Sequence, residues 1–497
     1  MTTGADFSVM PETFQVRVLP DDIRLTAAAG TRLYDLLRSA ALVPQAFCGG
    51  NGRCGKCTVL VDGAACLSCR TAVTRDMTVT LPDSGSGYIP GGMTETAPKG
   101  GGCRGETIAF DIGTTTVVCF LLDSAGRVIA HKGILNPQAS FGADVVSRLG
   151  SALAGTASEQ TNLIRQAMDA LIRAVCAEGG TEPEDIRVIS VVGNSAMQQL
   201  FLGLSVENLI EIPFIPKITH TDSRPAGEVL SVCGDAELRT VPDVSGYIGA
   251  DTVACVLATE LYRSEELSLL IDIGTNGEIV LGNKDRILTC AAAAGPALEG
   301  ANIRFGMRSA PGAIDHVFDD SGSPRCHVIG DTKAAGICGS GLIDAAAVFL
   351  REGKLDRRGR IAGGSERLFL TDSVYLTQED IREVQLAKAA LAAGIELLTE
   401  QFGVSADEIS RVYLAGAFGS SLSPASVCRI GLIPPQLEDR ISVIGNAAGH
   451  GAQLIAKSRE SFLETDALAA FMEHVELAAL GGFRRAFARQ MYFTAHN

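Results

Sequence analysis

Thr107-Ile-Ala-Phe-Asp-Ile-Gly-Thr-Thr-Thr116 is an apolar strand that delivers an aspartate to a Gly-Thr turn. It returns as Leu270-Ile-Asp-Ile-Gly-Thr-Asn-Gly277, with Asp111 and Asp272 161 positions apart. Successive backbone N–H groups in such a turn point at one spot, which suits a phosphate, while the carboxylate at the strand end faces a hydrated Mg2+. One copy is a weak signal. Two copies at domain spacing predict a duplicated fold that grips a nucleotide between its halves.

The flanks of the two copies share a grammar. Phe110 to Asp123 reads as strand, Gly-Thr turn and apolar strand. Leu163, Ile164, Ala167, Met168, Leu171, Ile172 and Val175 then recur at helical spacing, with Gly179 placed to end the helix. A strand from Arg187 to Val192 follows and ends in Gly193-Asn194. Further on come an Ala- and Leu-rich helix from Glu383 to Phe402, Ile409, and the strand Arg411-Val-Tyr-Leu-Ala-Gly416. Ile186 precedes Gly193 as Ile409 precedes Gly416, but this pair is offset by 223 against 161 for the aspartates, so the second half carries 62 extra residues. Such a duplication is expected of a two-lobed α/β fold with a central cleft. The polar segment Asn136 to Arg148 lines that cleft or is a solvated loop and helix start. Gly339-Ser-Gly341, before the apolar run Leu342 to Leu350, helps hold the nucleotide or only starts a helix.

The first 106 residues are different. Residues 1–13 read as a tail, Phe14 to Leu19 alternates like a strand with Ile23 to Leu25 as its hairpin partner, and Thr31 opens a short helix carrying Leu33, Leu36 and Leu37. Then comes Cys48-Gly-Gly-Asn-Gly-Arg-Cys54-Gly-Lys-Cys57, where glycines let a loop wrap closely while three thiolates converge on one centre. Gly50, Gly52 and Gly55 also satisfy a dinucleotide pattern, and Gly50 to Lys56 mimics a phosphate loop, but neither has the strand before it or the helix after it that those motifs need. Residues 83–106, rich in Gly, Pro, Ser and Thr, read as a flexible linker containing Cys103.

Bulk composition narrows the partners. A chain of 497 residues that is 46% hydrophobic holds two or three domains with sizeable cores. Its formal net charge of −15 argues against nucleic acid or an anionic membrane, both of which need a basic surface. No signal-peptide pattern and no uninterrupted apolar run of about 18 residues occur, so a cytoplasmic protein is expected. In that reducing compartment the Cys cluster reads as a metal site, and the nine scattered Cys as small buried residues.

The spacing of Cys48, Cys54 and Cys57 resembles that of adrenodoxin-like 2Fe-2S ferredoxins. The resemblance implies a β-grasp ferredoxin domain over residues 14–82, with Cys69 as fourth cluster ligand; Cys66 is the alternative for that ligand, and a structural zinc site the alternative for the cluster. From residue 107 onward the chain resembles the actin, sugar kinase and heat-shock chaperone ATPase superfamily, with a ribonuclease H-like lobe over 107–265 and a second over 266–497 that ends in hinge helices. By this resemblance Asp111, Gly113, Thr114, Thr115 and Thr116 form the first phosphate motif, and Asp272, Gly274, Thr275, Asn276 and Gly277 the second. Gly416 and Gly419 belong to the adenosine motif, and Asn446 to Ala452 resembles the small-residue helix at the hinge. Asp251 stands where chaperone ATPases carry an acidic residue that positions water near Mg-ATP. Its alternative reading is a helix N-cap or a first-turn Asp that interacts with the helix dipole.

The whole α/β and α+β multidomain chain is similar to the reductive activators of corrinoid proteins, on Gly193 to Gly203, Asn136-Pro-Gln138 with Asp144 to Arg148, Ala415 to Gly419, and Gly445 to Gly449. This implies an ATPase that returns a partner's Co(II) corrinoid to Co(I), taking the electron from an upstream low-potential donor through its 2Fe-2S cluster, and acting as a homodimer. No Asp-x-His-x-x-Gly corrinoid signature is present, so no cobalamin of its own is expected. The competing readings are an activase for another low-potential reductase or dehydratase, a redox-regulated small-molecule kinase, and a non-enzymatic redox-sensing scaffold.

Overall fold

The computed structural model describes residues 13–19, 22–40, 42, 57–81, 106–320, 323–416 and 421–494. The expected tail up to residue 12, the linker up to residue 105, Cys48, Cys54, Cys103 and Gly419 lie outside the described residues. The chain divides into two compact units, one of Met1–Gly85 with Pro137–Ala143 and one of Ser86–Asn136 with Asp144–Asn497.

In the first unit, β1 (Thr13–Leu19), β2 (Ile23–Ala28), α1 (Leu33–Ser39), β3 (Thr58–Val61), β4 (Ala64–Leu67) and β5 (Met77–Thr80) build a sheet in the order β2-β1-β5-β3-β4. β1 pairs antiparallel with β2 and parallel with β5. The alternation of β1 puts Val16 and Val18 inside and Gln15 and Arg17 outside, and the inner pair meets Leu33, Leu37, Val59 and Val79 in one apolar cluster.

The second unit holds two sheets built to one plan. In the first, β6 (Glu106–Ile112), β7 (Thr116–Leu122) and β8 (Val128–Leu135) form a meander; α2 (Val145–Ser151), α3 (Ala157–Gly179), β9 (Ile186–Gly193), α4 (Ser195–Leu202), β10 (Asp222–Pro225), β11 (Glu237–Thr240) and α5 (Ala250–Thr259) complete the lobe. In the second, β12 (Ser268–Ile273), β13 (Gly277–Gly282) and β14 (Ile287–Ala292) repeat the meander. An insertion carries β15 (Ala313–Asp320), β16 (Ser323–Val328), β17 (Gly336–Ile337), α6 (Gly339–Arg351), β18 (Arg367–Phe369) and β19 (Tyr375–Thr377). Then come α7 (Gln378–Phe402), β20 (Arg411–Ala415), α8 (Pro424–Arg429), β21 (Ile441–Gly445), α9 (Ala447–Lys457), α10 (Arg459–Phe471), β22 (Met472–His474) and α11 (Phe483–Gln490). The strand orders are β10-β11-β9-β6-β7-β8 and β21-β20-β12-β13-β14-β22. In both, the aspartate strand runs antiparallel to the next strand and parallel to the strand that follows the long helix.

Three boundaries differ from the sequence reading. Helix α3 runs through Gly179 and is ended by Gly180, whose φ of 65° supplies the left-handed cap. Helix α7 starts five residues before Glu383, because Thr377 and Asp380 form a capping box over a polar first turn. Gly339-Ser-Gly341 is itself the first turn of α6, and a Cβ on Gly341 would lie 2.3 Å from the Ile314 carbonyl oxygen, so close packing on β15 demands glycine there.

The two lobes share a core. Ala109, Leu122 and Val192 of the first sheet and Leu270, Val280 and Ala415 of the second join one apolar cluster with Ala254, Val253, Ala448 and Ala452 of α5 and α9. Small residues let these helices meet: a Cβ on Gly451 would stand 2.2 Å from the Ala254 carbonyl oxygen. Polar side chains fasten α9 to the first lobe, as Ser190 Oγ donates to the Ala452 carbonyl (2.6 Å), Arg239 to the Ile455 carbonyl (2.9 Å) and Lys457 Nζ to the Asp123 carbonyl (2.5 Å). Among the described residues no helix is long and apolar enough to cross a membrane.

Candidate functional site

Both Gly-Thr turns lie at the same end of their sheets. Asp111 is opposite Val192 in β9, and Asp272 is opposite Ala415 in β20, so each aspartate leaves its strand beside a strand-end glycine, Gly193 or Gly416. Each turn closes on itself, with Gly113 N–H donating to the Thr116 carbonyl (2.8 Å) and Gly274 N–H to the Asn276 carbonyl (2.9 Å). Buried Asn136 braces the first turn, since its Nδ2 donates to the Gly113 carbonyl (2.8 Å) and its backbone N–H to the Thr115 carbonyl (2.9 Å). Asn194 caps α4 through the Met197 N–H (3.0 Å) and donates from Nδ2 to Thr114 Oγ1 (3.0 Å). The Asn136 to Arg148 segment therefore begins at the phosphate turn.

The acidic residues lie within range of one another's charge. Asn446, the cap of α9, donates to Asp111 Oδ2 (2.8 Å) and accepts from the Gly449 N–H (2.6 Å). Asp251 lies in the first turn of α5, where Gly249 occupies the cap position, and its Oδ1 accepts from the Thr252 N–H (2.7 Å). Burial, with the charges of Asp272 and Asp111 behind it, pushes the Asp251 carboxyl up to about 7. Burial also pushes Asp111 up to about 7, against the opposing Asn446 hydrogen bond and with the Asp272 charge, and Asp272 up to about 6. Glu278, on β13, is driven well above the usual carboxylate range by burial and by the charges of Asp251 and Asp272.

Carboxylates crowded this way call for a cation. Among the described residues no three His, Cys, Asp or Glu side chains draw close enough to ligate one ion directly. Asp111, Asp272 and Asp251 could hold an ion only through its water shell, the way Mg2+ is ordinarily held beside a polyphosphate. Gly416 requires glycine for local reasons: it has a φ of 113°, and a Cβ there would lie 2.4 Å from the Ile273 carbonyl oxygen and 3.0 Å from Asp272 Oδ1. Gly419 lies outside the described residues.

Sequence reasoning missed Glu299. Its Oε2 accepts from Thr115 Oγ1 (2.5 Å) and Thr275 Oγ1 (2.8 Å), so a single carboxylate oxygen joins the two phosphate turns. Glu299 ends the turn Pro296–Glu299 between Gly295 and Gly300, which have φ of 75° and 84°. Arg148, buried on α2, and Arg308 are each lowered by burial, to about 9 and about 10, with the charge of Glu299 as the leading opposing influence. The two glycines around an acidic residue were the available signal, and nothing local tied them to residues 115 and 275.

In the first unit the structure brings Cys57 and Cys69 together. Both are buried, with sulfurs 3.1 Å apart, and Ser68 Oγ donates to the Cys57 carbonyl (2.9 Å) beside them. Cys66 is half-buried on β4, opposite Val59. Two buried thiols in contact fit two ligand positions of an iron-sulfur cluster; Cys48 and Cys54 lie outside the described residues.

Comparison with known proteins covers the same span. The family model described as the C-terminal domain of RACo, the ASKHA domain, matches residues 266–497, and that of the RACo middle region matches residues 107–264. The chain is 36% identical over 401 residues to the corrinoid activation enzyme RamQ of Eubacterium limosum, covering 75% of this chain and 67% of that one. It is 27% identical over 394 residues to the [Co(II) methylated amine-specific corrinoid protein] reductase of Methanosarcina barkeri, covering 73% and 70%. The solved structure of a reductive activator for corrinoid, iron-sulfur protein superposes with a TM-score of 0.73 at 27% identity, over 97% of this chain and 98% of that one. With the duplicated ASKHA lobes, these matches place the chain in the RACo family of reductive activators of corrinoid proteins.

Proposed function

We propose that this protein performs the ATP-dependent, one-electron reduction of a partner's corrinoid from Co(II) to Co(I), serving a methyltransferase system in the cytoplasm. What supports the reading is that Asp111 and Asp272 stand at equivalent strand ends of two duplicated sheets, with their charges reaching Asp251, in a chain that belongs to the RACo family. In this reading Gly113, Thr114, Thr115 and Thr116 on one wall and Gly274, Thr275, Asn276 and Gly277 on the other hold the phosphates of ATP. Gly416 and Gly419 let the backbone lie against the nucleoside. Asp111 and Asp272 hold the water shell of Mg2+, which when bound neutralises charge on the phosphates. Asp251, with a carboxyl that titrates near neutrality, orients the attacking water and takes its proton.

The domain limits proposed from sequence, 14–82 for a β-grasp ferredoxin and 107–265 and 266–497 for the lobes, assign the electron to the first unit. Cys48, Cys54, Cys57 and Cys69 would hold a 2Fe-2S cluster there, which when bound supplies one-electron chemistry. In this reading an upstream low-potential donor would supply the electron and the corrinoid protein would receive it. Each 59 mV of uphill transfer costs about 1.4 kcal/mol for one electron, a deficit that changes in lobe closure driven by ATP can offset. Activity as a homodimer belongs to the same proposal.

The test is anaerobic. The reduced protein, Mg-ATP and a Co(II) corrinoid protein are mixed, and the Co(I) spectrum is followed with and without ATP. ATP-dependent Co(I) formation is expected; no Co(I) with any partner of a methyltransferase system would end the reading.

A further inference from the structure

A hydroxyl proton can be given to only one acceptor at a time. Thr115 Oγ1 and Thr275 Oγ1, one from each phosphate turn and 3.4 Å apart, both give theirs to Glu299 Oε2. The other oxygen of Glu299 lies near Gly274, since a Cβ there would come 3.8 Å from Oε1. Gly416 packs against Ile273 and Asp272 of the second lobe; on the nucleotide site described under Proposed function, where Gly416 lies against the nucleoside, the far end of the phosphate chain is the part that would reach across to Thr115. The atom that satisfies both hydroxyls at once is then an oxygen of the terminal phosphate.

We propose that Glu299 makes the cleft read the length of the phosphate chain: a triphosphate must take the Thr115 and Thr275 hydroxyls from Glu299, whereas a diphosphate leaves that clasp in place. The proposal rests on the nucleotide site described under Proposed function. Charge sharpens the competition, because a carboxylate and a phosphate repel each other at hydrogen-bond range. Ala297 and Leu298 are buried and anchor the turn, so the displacement falls to the Glu299 side chain, with buried Arg148 and half-buried Arg308 as the cations around its charge. Glu299 is thus a specificity-determining residue, and it is distinct from the carboxylates that face the metal.

Equilibrium titrations of the full chain with Mg-ATP and Mg-ADP test it, on the wild type, Glu299→Gln, Thr115→Val and the double variant. Glutamine keeps the shape and the acceptor but loses the charge, so Glu299→Gln should tighten ATP by about tenfold and move ADP by less than about threefold. Thr115→Val should weaken ATP selectively, and most of the gain from Glu299→Gln should disappear in the double variant. Equal shifts for both nucleotides, or an ATP affinity that Glu299→Gln leaves unchanged or weakens, would overturn the clasp while leaving the ATP site intact. A wild type that binds neither nucleotide overturns the underlying site, and the clasp with it.

Discussion

Gly193 and Gly416 are the same residue in two copies of one sheet. Each follows the strand residue that pairs with an aspartate, and each presses on the carbonyl after that aspartate: a Cβ would lie 2.7 Å from the Ile112 oxygen at Gly193, and 2.4 Å from the Ile273 oxygen at Gly416. Only Gly416 has a positive φ, 113°. Gly416→Ala therefore adds backbone strain to the clash and should cost about 2–4 kcal/mol of stability, more than Gly193→Ala, together with a loss of ATP affinity. Denaturant unfolding and nucleotide titration of both variants measure this; equal effects at the two positions would refute the assigned asymmetry.

The acidic cluster sets a pH dependence. Asp111, Asp251 and Asp272 are raised from an ordinary 3.8 to about 7, about 7 and about 6. A carboxyl raised on folding contributes stability that is complete below its ordinary value and is lost as pH climbs through the folded one. Without Mg2+, the Tm should fall from pH 5 to 8, and Asp251→Asn should flatten that fall. Mg2+ prefers the ionised groups, so its stabilising effect should grow across the same window, with protons released on binding. A Mg2+ effect that is the same at pH 5.5 and pH 8 would contradict this.

Asp251 and Asn446 should separate in kinetics. Asp251→Asn keeps the shape and the Thr252 contact but removes the base, so ATP turnover should fall by about 10²- to 10⁴-fold while ATP affinity stays within a few-fold. Asn446→Ala removes both the cap of α9 and the donor to Asp111, so about 1 kcal/mol of stability should go with it and the Asp111 carboxyl should rise further. Turnover of Asp251→Asn equal to wild type would leave the residue only a first-turn role on its helix.

Cys69 and Cys66 are told apart by iron. The contact between Cys57 and Cys69 leads us to expect that Cys69→Ser loses cluster absorbance and iron in anaerobically purified protein, while Cys66→Ser retains both. Full occupancy in Cys69→Ser would reverse the assignment.

Much of the ATPase fold was legible because its signals are periodic and repeated. Asp111 and Asp272 stand at strand ends, and the equal Ile-to-Gly spacing reflects the equivalence of β9 and β20 in their sheets. Interactions between distant residues were not legible. Glu299 meets Thr115, and Asn446 meets Asp111, only after the lobes pack, across separations of 184 and 335 residues. The early start of α7 was hidden by its polar first turn, which a capping box holds without apolar periodicity.

The helices that join the lobes also constrain how they can move. Gly451 brings α9 onto the Ala254 carbonyl, while Ser190 and Arg239 hold carbonyls of the same helix and its own Lys457 reaches the Asp123 carbonyl of the first lobe. These ties fall on consecutive turns of α9, so the helix is held to the first lobe as a rod along its length and not as a pin at one point, and a change of angle between the lobes would have to break them or carry α9 with the first lobe.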